Sequence, residues 1–258
     1  MNNLTKALRL FGINLTLIKS NIKGLGFYFS DLKKIKKQNQ KEHFGPIKYY
    51  PILNERFDES GSMSGHYFHQ DLLIAQKIFD NNPTRHMDIG SRIDGFVAHV
   101  AAFRKIEIFD IRKQDSEIKN IIFRQLDLMG DIPSEYINCT DSISSLHTIE
   151  HFGLGRYGDK IDIFGHIKGL NNIKKILKSG GKFYFSVPIG TQRIEFNAHR
   201  VFSIQYLLDI FKNDYDLISF SYVDDKGDLH KDLILTHEDI ANSLGCRFGC
   251  GIFEFIKK

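Results

Sequence analysis

Two periods of apolar and polar residues run along this chain. From Arg85 onward, short apolar runs alternate with stretches in which apolar positions recur every three or four residues. The first pattern fits strands and the second fits helices, because side chains repeat every two residues on a strand and every 3.6 on a helix. Strands are predicted at 86–90, 106–110, 121–126, 141–146, 182–188, 216–223 and 251–256. Helices are predicted at 95–103, 165–178, 203–212 and from about 236. In the second of these, Ile167, Leu170, Ile173, Ile176 and Leu177 form one apolar face, and Ser179-Gly180-Gly181 ends it. Such alternation implies a mostly parallel sheet covered by helices.

Upstream the pattern changes. Residues 4–40 read as one or two amphipathic helices, with Gly24 and Gly26 expected to break them. Residues 41–65, with Gly45-Pro46, Pro51 and Gly61, read as loop. Ser64 to Asp71 opens a further helix running to about Asp80, and its cluster of polar and aromatic groups suits either a ligand mouth or ordinary capping and packing. The chain therefore divides into an N-terminal arm and loop, 1–63, and an α/β domain, 64–258.

Composition narrows the class. Hydrophobic content of 42% and charged content of 26% are those of a soluble globular protein. No apolar run approaches the roughly 18 residues that span a bilayer. Cys139, Cys246 and Cys250 are too few for a disulfide framework and read as thiols of a cytosolic protein. The net charge of +4 hides an asymmetry: Met1–Lys41 carries nine Lys/Arg and one acid, leaving a slightly acidic body. This arm reads as a helix with solvated lysines packed on its own domain or a second subunit, so a homo-oligomer fits. A peripheral contact with anionic lipid is the alternative. An acidic body without interleaved aromatic and basic residues argues against a nucleic-acid partner.

Candidate chemistry begins at His86–Val100, where a strand ends at Ile89, turns through Gly90–Gly95 and enters a helix at Phe96. Glycines admit a sharp turn and a close ligand, and helix-start amides present partial positive charge. Asp110 follows twenty residues after Gly90, at the end of the second strand, where an acid suits the hydroxyls of a nucleoside ribose. A nucleoside cofactor is the expectation.

The stretch from about 64 to 257 resembles the class I S-adenosylmethionine-dependent methyltransferases. The resemblance is carried by Asp88-Ile89-Gly90, Asp110, Leu126-Asp127, Ser145-Leu146-His147-Thr148-Ile149-Glu150-His151, and Leu177-Lys178-Ser179-Gly180-Gly181-Lys182-Phe183, similar to that family's LKPGG turn. More narrowly, Gly90–Gly95, the His151–Asp159 loop and Glu195-Phe196-Asn197-Ala198-His199-Arg200 are similar to an uncharacterised methyltransferase-like family, domain of unknown function 268. The resemblance implies a Rossmann-like, doubly wound, seven-stranded sheet of order 3-2-1-4-5-7-6 and S-adenosylmethionine as cofactor. It places Asp88, Gly90 and Ser91 by the methionine part, Asp110 on the ribose, and Asp127 with Leu126 or Leu128 by the adenine, with Leu146 and His147 beside them. Arg92 is a departure, since a cation beside a sulfonium is unfavourable unless Arg92 turns away or pairs with Asp94.

Methyl transfer to a hydroxyl gains from a base titrating near neutrality, and histidine supplies one. His151 is the first candidate, His199 the second and His147 the third. Arg156, Tyr157, Arg193, Asn197 and Arg200 could grip a polar acceptor, or could simply lock loops by hydrogen bonds. His147, Glu150 and His151 match the inverted zinc-peptidase spacing, but they follow a strand rather than lie on a helix, which excludes peptidase chemistry. A divalent ion held by those three side chains is a less favoured reading. The function expected is O-methylation of a small-molecule or glycan acceptor, in surface-polysaccharide synthesis. A ligand-binding protein that keeps the fold without catalysis is the main rival. An NAD-type oxidoreductase fits less well, because the third glycine of the dinucleotide fingerprint is missing.

Overall fold

A computed structural model describes residues 3–42 and 44–258. Of the arm expected over 1–63, Met1, Asn2 and His43 lie outside the described residues. The chain forms two compact units, Met1–Ser62 and Met63–Lys258.

The first unit holds helices α1 (Asn3–Leu10) and α2 (Leu15–Glu42), then a single 3-10 turn, Glu55–Phe57. Asn14 starts α2 by accepting the amides of Thr16 and Leu17 at 3.1 and 3.2 Å, which satisfies donors that no helical carbonyl reaches. Contrary to expectation, α2 runs unbroken through Gly24 and Gly26. Each glycine costs a helix only about 1 kcal/mol, too little to stop one of 28 residues. Gly24 also admits the Leu53 backbone, whose carbonyl oxygen would stand 2.1 Å from any Cβ there. Among the described residues, no helix is long and apolar enough to cross a membrane.

The second unit opens with α3 (His66–Asn81) and continues β1 (His86–Ile89), α4 (Ala98–Ala101), β2 (Ile106–Asp110), β3 (Ile121–Gln125), β4 (Thr140–Leu146), α5 (Gly165–Ile176) and β5 (Leu177–Ile189). A short hairpin, β6 (Arg193–Glu195) and β7 (His199–Val201), precedes α6 (Ile204–Phe211). The chain ends with β8 (Tyr215–Val223), β9 (Leu229–His230), α7 (His237–Asn242) and β10 (Gly249–Lys257). The main sheet runs β3-β2-β1-β4-β5-β10-β8-β9. Strands β3 to β5 in that row pair in parallel, while β10, β8 and β9 pair antiparallel. Counting only the seven longer strands gives the order 3-2-1-4-5-7-6, with two-residue β9 added at the edge.

Alternation along the strands builds two cores. Met87, Ile89, Phe183, Phe185, Phe253 and Phe255 face one side, under α5 and α6. Ile106, Ile108, Tyr184, Cys250 and Ile252 face the other, under α3 and α4. Several elements differ from the sequence reading. Helix α5 stops at Ile176, because Leu177 is already extended and pairs with Thr140. The helix expected at 95–103 begins as a π turn over Ile93–Val97, with Gly95 off helical geometry. The β6–β7 hairpin lies between the strand expected at 182–188 and the helix expected at 203–212, where the sequence pattern assigns no element.

Candidate active site at the carboxyl ends of the parallel strands

Strand order reverses between β1 and β4, and in such sheets the crevice beyond that point takes ligands. Here β1 ends in Gly90, with φ of +66° and only 2.5 Å between a notional Cβ and Thr148 Cγ2. Backbone geometry and space both demand glycine. The loop is fixed from behind by Asp88, whose carboxylate accepts from Ser91 N at 2.9 Å, Ser91 Oγ at 2.6 Å and Ser144 Oγ at 2.6 Å. Ser91 Oγ in turn accepts from Leu146 N at 3.1 Å, which ties β1 to β4. Burial pushes the Asp88 pKa up to about 6, partly offset by those hydrogen bonds.

Beyond this loop lies a cleft of about 380 Å³. Gly90, Ser91, Asp110, Asp127, Leu128, His147, His151, Arg156 and Tyr157, all anticipated from sequence, line it. Asp88 and Leu146 are fully packed behind it, and His199, Arg193, Asn197 and Arg200 are not among its lining residues. The wall also includes Ile89, Phe109 and Leu126, and residues the sequence reading overlooked or left undecided, Arg112 and Tyr67. Asp110 accepts from Arg112 three times, from its amide at 2.8 Å, Nε at 3.0 Å and Nη2 at 2.6 Å. The Arg112 guanidinium also lies over the Tyr157 ring, 4.5 Å from its centroid. Arg92 turns onto Asp94, at 3.0 and 2.8 Å, so the unwelcome cation is paired. Asp127 uses Oδ1 to accept from Met129 N, forming a tight turn.

The loop after β4 is built by its own side chains. Asp159 accepts from Gly153 N, Gly155 N and Tyr157 N. Arg200, buried, donates to the carbonyls of Phe152 at 2.6 Å and Ile163 at 3.1 Å, with longer bonds to Glu150 and Asp162. It locks this loop rather than facing the cleft. Arg193 is spent on Glu195, Thr191 O and Arg247 O.

The three histidines have different surroundings. His151 Nδ1 donates to the Ala198 carbonyl at 2.6 Å; a carbonyl only accepts, so Nε2 keeps the lone pair. Burial holds the His151 pKa below the usual value, opposed by Glu150, so the ring is neutral near pH 7. His147 has φ of +51° and donates Nδ1–H to Glu150 Oε1 at 2.7 Å. Glu150 Oε1 stands 3.8 Å from His151 Nε2, so this carboxylate serves His147 first. His199 packs on Phe248, its ring 6.5 Å from that of His151. The ring of His66, at the start of α3, lies 5.1 Å from the ring of His147. Burial and His147 together lower the His66 pKa to about 4.

This sheet order, with a glycine turn after β1 and acids after β2 and β3, defines the fold of the class I S-adenosylmethionine-dependent methyltransferases. Solved structures agree. A Burkholderia thailandensis 1,6-didemethyltoxoflavin-N1-methyltransferase with bound 1,6-didemethyltoxoflavin and S-adenosylhomocysteine is 10% identical, with a TM-score of 0.51 over 92% of this chain and 90% of that one. An O-methyltransferase from a Brevibacillus brevis trans-AT PKS multienzyme, in complex with S-adenosylhomocysteine, is 16% identical, with a TM-score of 0.51 over 73% and 71%. The 4+2 cyclase SpnF is 11% identical, with a TM-score of 0.50 over 73% and 80%. No curated protein sequence matches the chain. Residues 99–240, more than half of the chain, match the family described as Caenorhabditis protein of unknown function, DUF268, and the chain belongs to that family.

Proposed function

We propose that this protein is an S-adenosylmethionine-dependent methyltransferase acting on an oxygen of a small polar or glycan acceptor, with surface-polysaccharide synthesis as its setting. The observation that carries this reading is the cleft, where Gly90, Ser91, Asp110, Asp127 and Leu128 meet in one space at the strand ends. Its residues fit the cofactor: a glycine turn for the methionine part, a carboxylate for the ribose hydroxyls, and an apolar wall of Phe109, Leu126 and Leu128 for the adenine. When bound, the cofactor would supply an activated methyl group; the chain has to align an acceptor oxygen in line with it and exclude water.

Within the chain, His151 Nε2 would take the proton of the acceptor hydroxyl, its tautomer set by the Ala198 carbonyl. Arg156, held on the same carbonyl at 3.1 Å, and Tyr157 would grip polar groups of the acceptor at the mouth. Asp88 and Arg200 serve by holding the two loops in place.

A second reading has its own support. Arg112 already engages Asp110 through its Nε and Nη2, the arrangement expected where the carboxylate holds a loop rather than a ribose. On that reading the protein binds a ligand without methyl transfer. The test is formation of S-adenosylhomocysteine from S-adenosylmethionine across a panel of hydroxylated sugars and glycans. Acceptor-dependent formation is expected. Cofactor binding with no product on any acceptor would favour the second reading.

A further inference from the structure

We propose that His66, His147 and Cys250 form a site for a zinc-class divalent transition-metal ion. They come from three distant parts of the second unit: the first residue of α3, the residue after β4, and the second residue of β10. One imidazole nitrogen from each histidine and the thiol sulfur all lie within 4.8 Å of one another. Ligands on a tetrahedral ion at ordinary Zn–N and Zn–S lengths are about 3.3–3.8 Å apart, so the ion would draw the donors together by about an ångström.

The surroundings are those of a metal site. His147 is 5% exposed, and its Nε2 is buried with no hydrogen-bond partner. Its other nitrogen donates to Glu150 Oε1 at 2.7 Å. A carboxylate that fixes the far nitrogen of a histidine, leaving the near one bare, is the usual support of a metal-bound imidazole. The His66 ring stacks on the His147 ring at 5.1 Å and on the Phe248 ring at 5.4 Å. Cys250 is completely buried, and Gln70 Oε1, 3.6 Å from its sulfur, is itself anchored by Ser186 Oγ. His147 adopts a left-handed backbone conformation, uncommon outside glycine and often kept for function.

Donor chemistry selects the ion. One sulfur and two imidazoles suit zinc and its neighbours, whereas magnesium and calcium prefer oxygen. On binding, the sulfur–metal bond forms as the thiol proton leaves to solvent. Three protein donors leave a fourth position for water or a ligand oxygen, and His147 also lines the cleft. The site needs no assumption about methyl transfer. It also differs from the His147–Glu150–His151 grouping read from spacing, because Glu150 here supports a ligand instead of being one.

The test is titration of metal-stripped full-length chain with Co²⁺, read by absorption. About one Co²⁺ per chain is expected, with tetrahedral d–d bands and a thiolate charge-transfer band. Cys250→Ser should lose the charge-transfer band, and Glu150→Gln should weaken binding about 10–100-fold. Cys139→Ser should change neither. His66→Gln, at a partly exposed position, should weaken binding and serves if Cys250→Ser does not fold. A wild-type spectrum without the thiolate band would overturn the proposal, as would unchanged binding in Cys250→Ser or His66→Gln.

Discussion

Two buried histidines, His86 and His166, make part of this molecule's stability depend on pH. His86 sits between Ser142 Oγ at 2.8 Å and Ser144 Oγ at 3.1 Å, fully enclosed. Burial lowers its pKa to about 3, and burial beside Arg200 lowers that of His166 to about 4. An unfolded histidine titrates near 6.5, so below that pH the unfolded chain binds more protons than the folded one. Stability from these two groups is complete above about pH 6.5 and declines as pH falls, by up to about 1.4 kcal/mol per unit for each. Urea unfolding at pH 7 and pH 5 should show the decline, and His86→Leu should flatten it; an equal slope in the variant would contradict this origin. His151 invites a kinetic test. His151→Ala should slow single-turnover methyl transfer by roughly 10²–10⁴-fold while cofactor affinity is kept. A matched fall in activity and melting temperature would instead mark a structural residue. Legibility at this scale was uneven. Asp110 and Gly90 follow from position alone, since strand end and turn place them. Arg200 looked like an acceptor ligand because its charge is visible in sequence, while its carbonyl partners are set only by the folded loop.

At the scale of elements, the two glycines of α2 make opposite demands. Around Gly26 nothing lies within 4 Å of a notional Cβ, whereas at Gly24 the Leu53 carbonyl blocks one. Gly26→Ala should therefore stabilise the helix by about 0.5–1 kcal/mol, and Gly24→Ala should loosen the Leu53 contact. Hydrogen exchange of the α2 amides should slow in the first variant and quicken in the second; slowing in both would refute the packing argument. The long elements were legible because their periods extend over several residues: Phe253 and Phe255 alternate with Ile252 on opposite faces of β10. The β6–β7 hairpin was not, because three-residue strands carry no period. Helix α5 ended early for a related reason, since Leu177 is apolar whether it closes a helix or opens a strand.

At the scale of the molecule, the sheet and both of its cores lie within Met63–Lys258. Removal of residues 1–62 should leave a fragment that melts cooperatively, measured by calorimetry; loss of cooperativity would mean that the arm completes a core. The order of the strands was accessible through distributed motifs, each short and local. The grouping of His66, His147 and Cys250 was not, because no spacing in the chain signals residues joined only by folding. The central claim is that the cleft beyond β1 and β2 holds a nucleoside cofactor with Asp110 on its ribose. Isothermal titration of the full chain with S-adenosylhomocysteine tests it most directly. The account predicts binding to the wild type and a loss of about 1–3 kcal/mol in Asp110→Ala, the scale of hydrogen bonds to a charged group. No binding to the wild type, or equal affinity in Asp110→Ala, would contradict it.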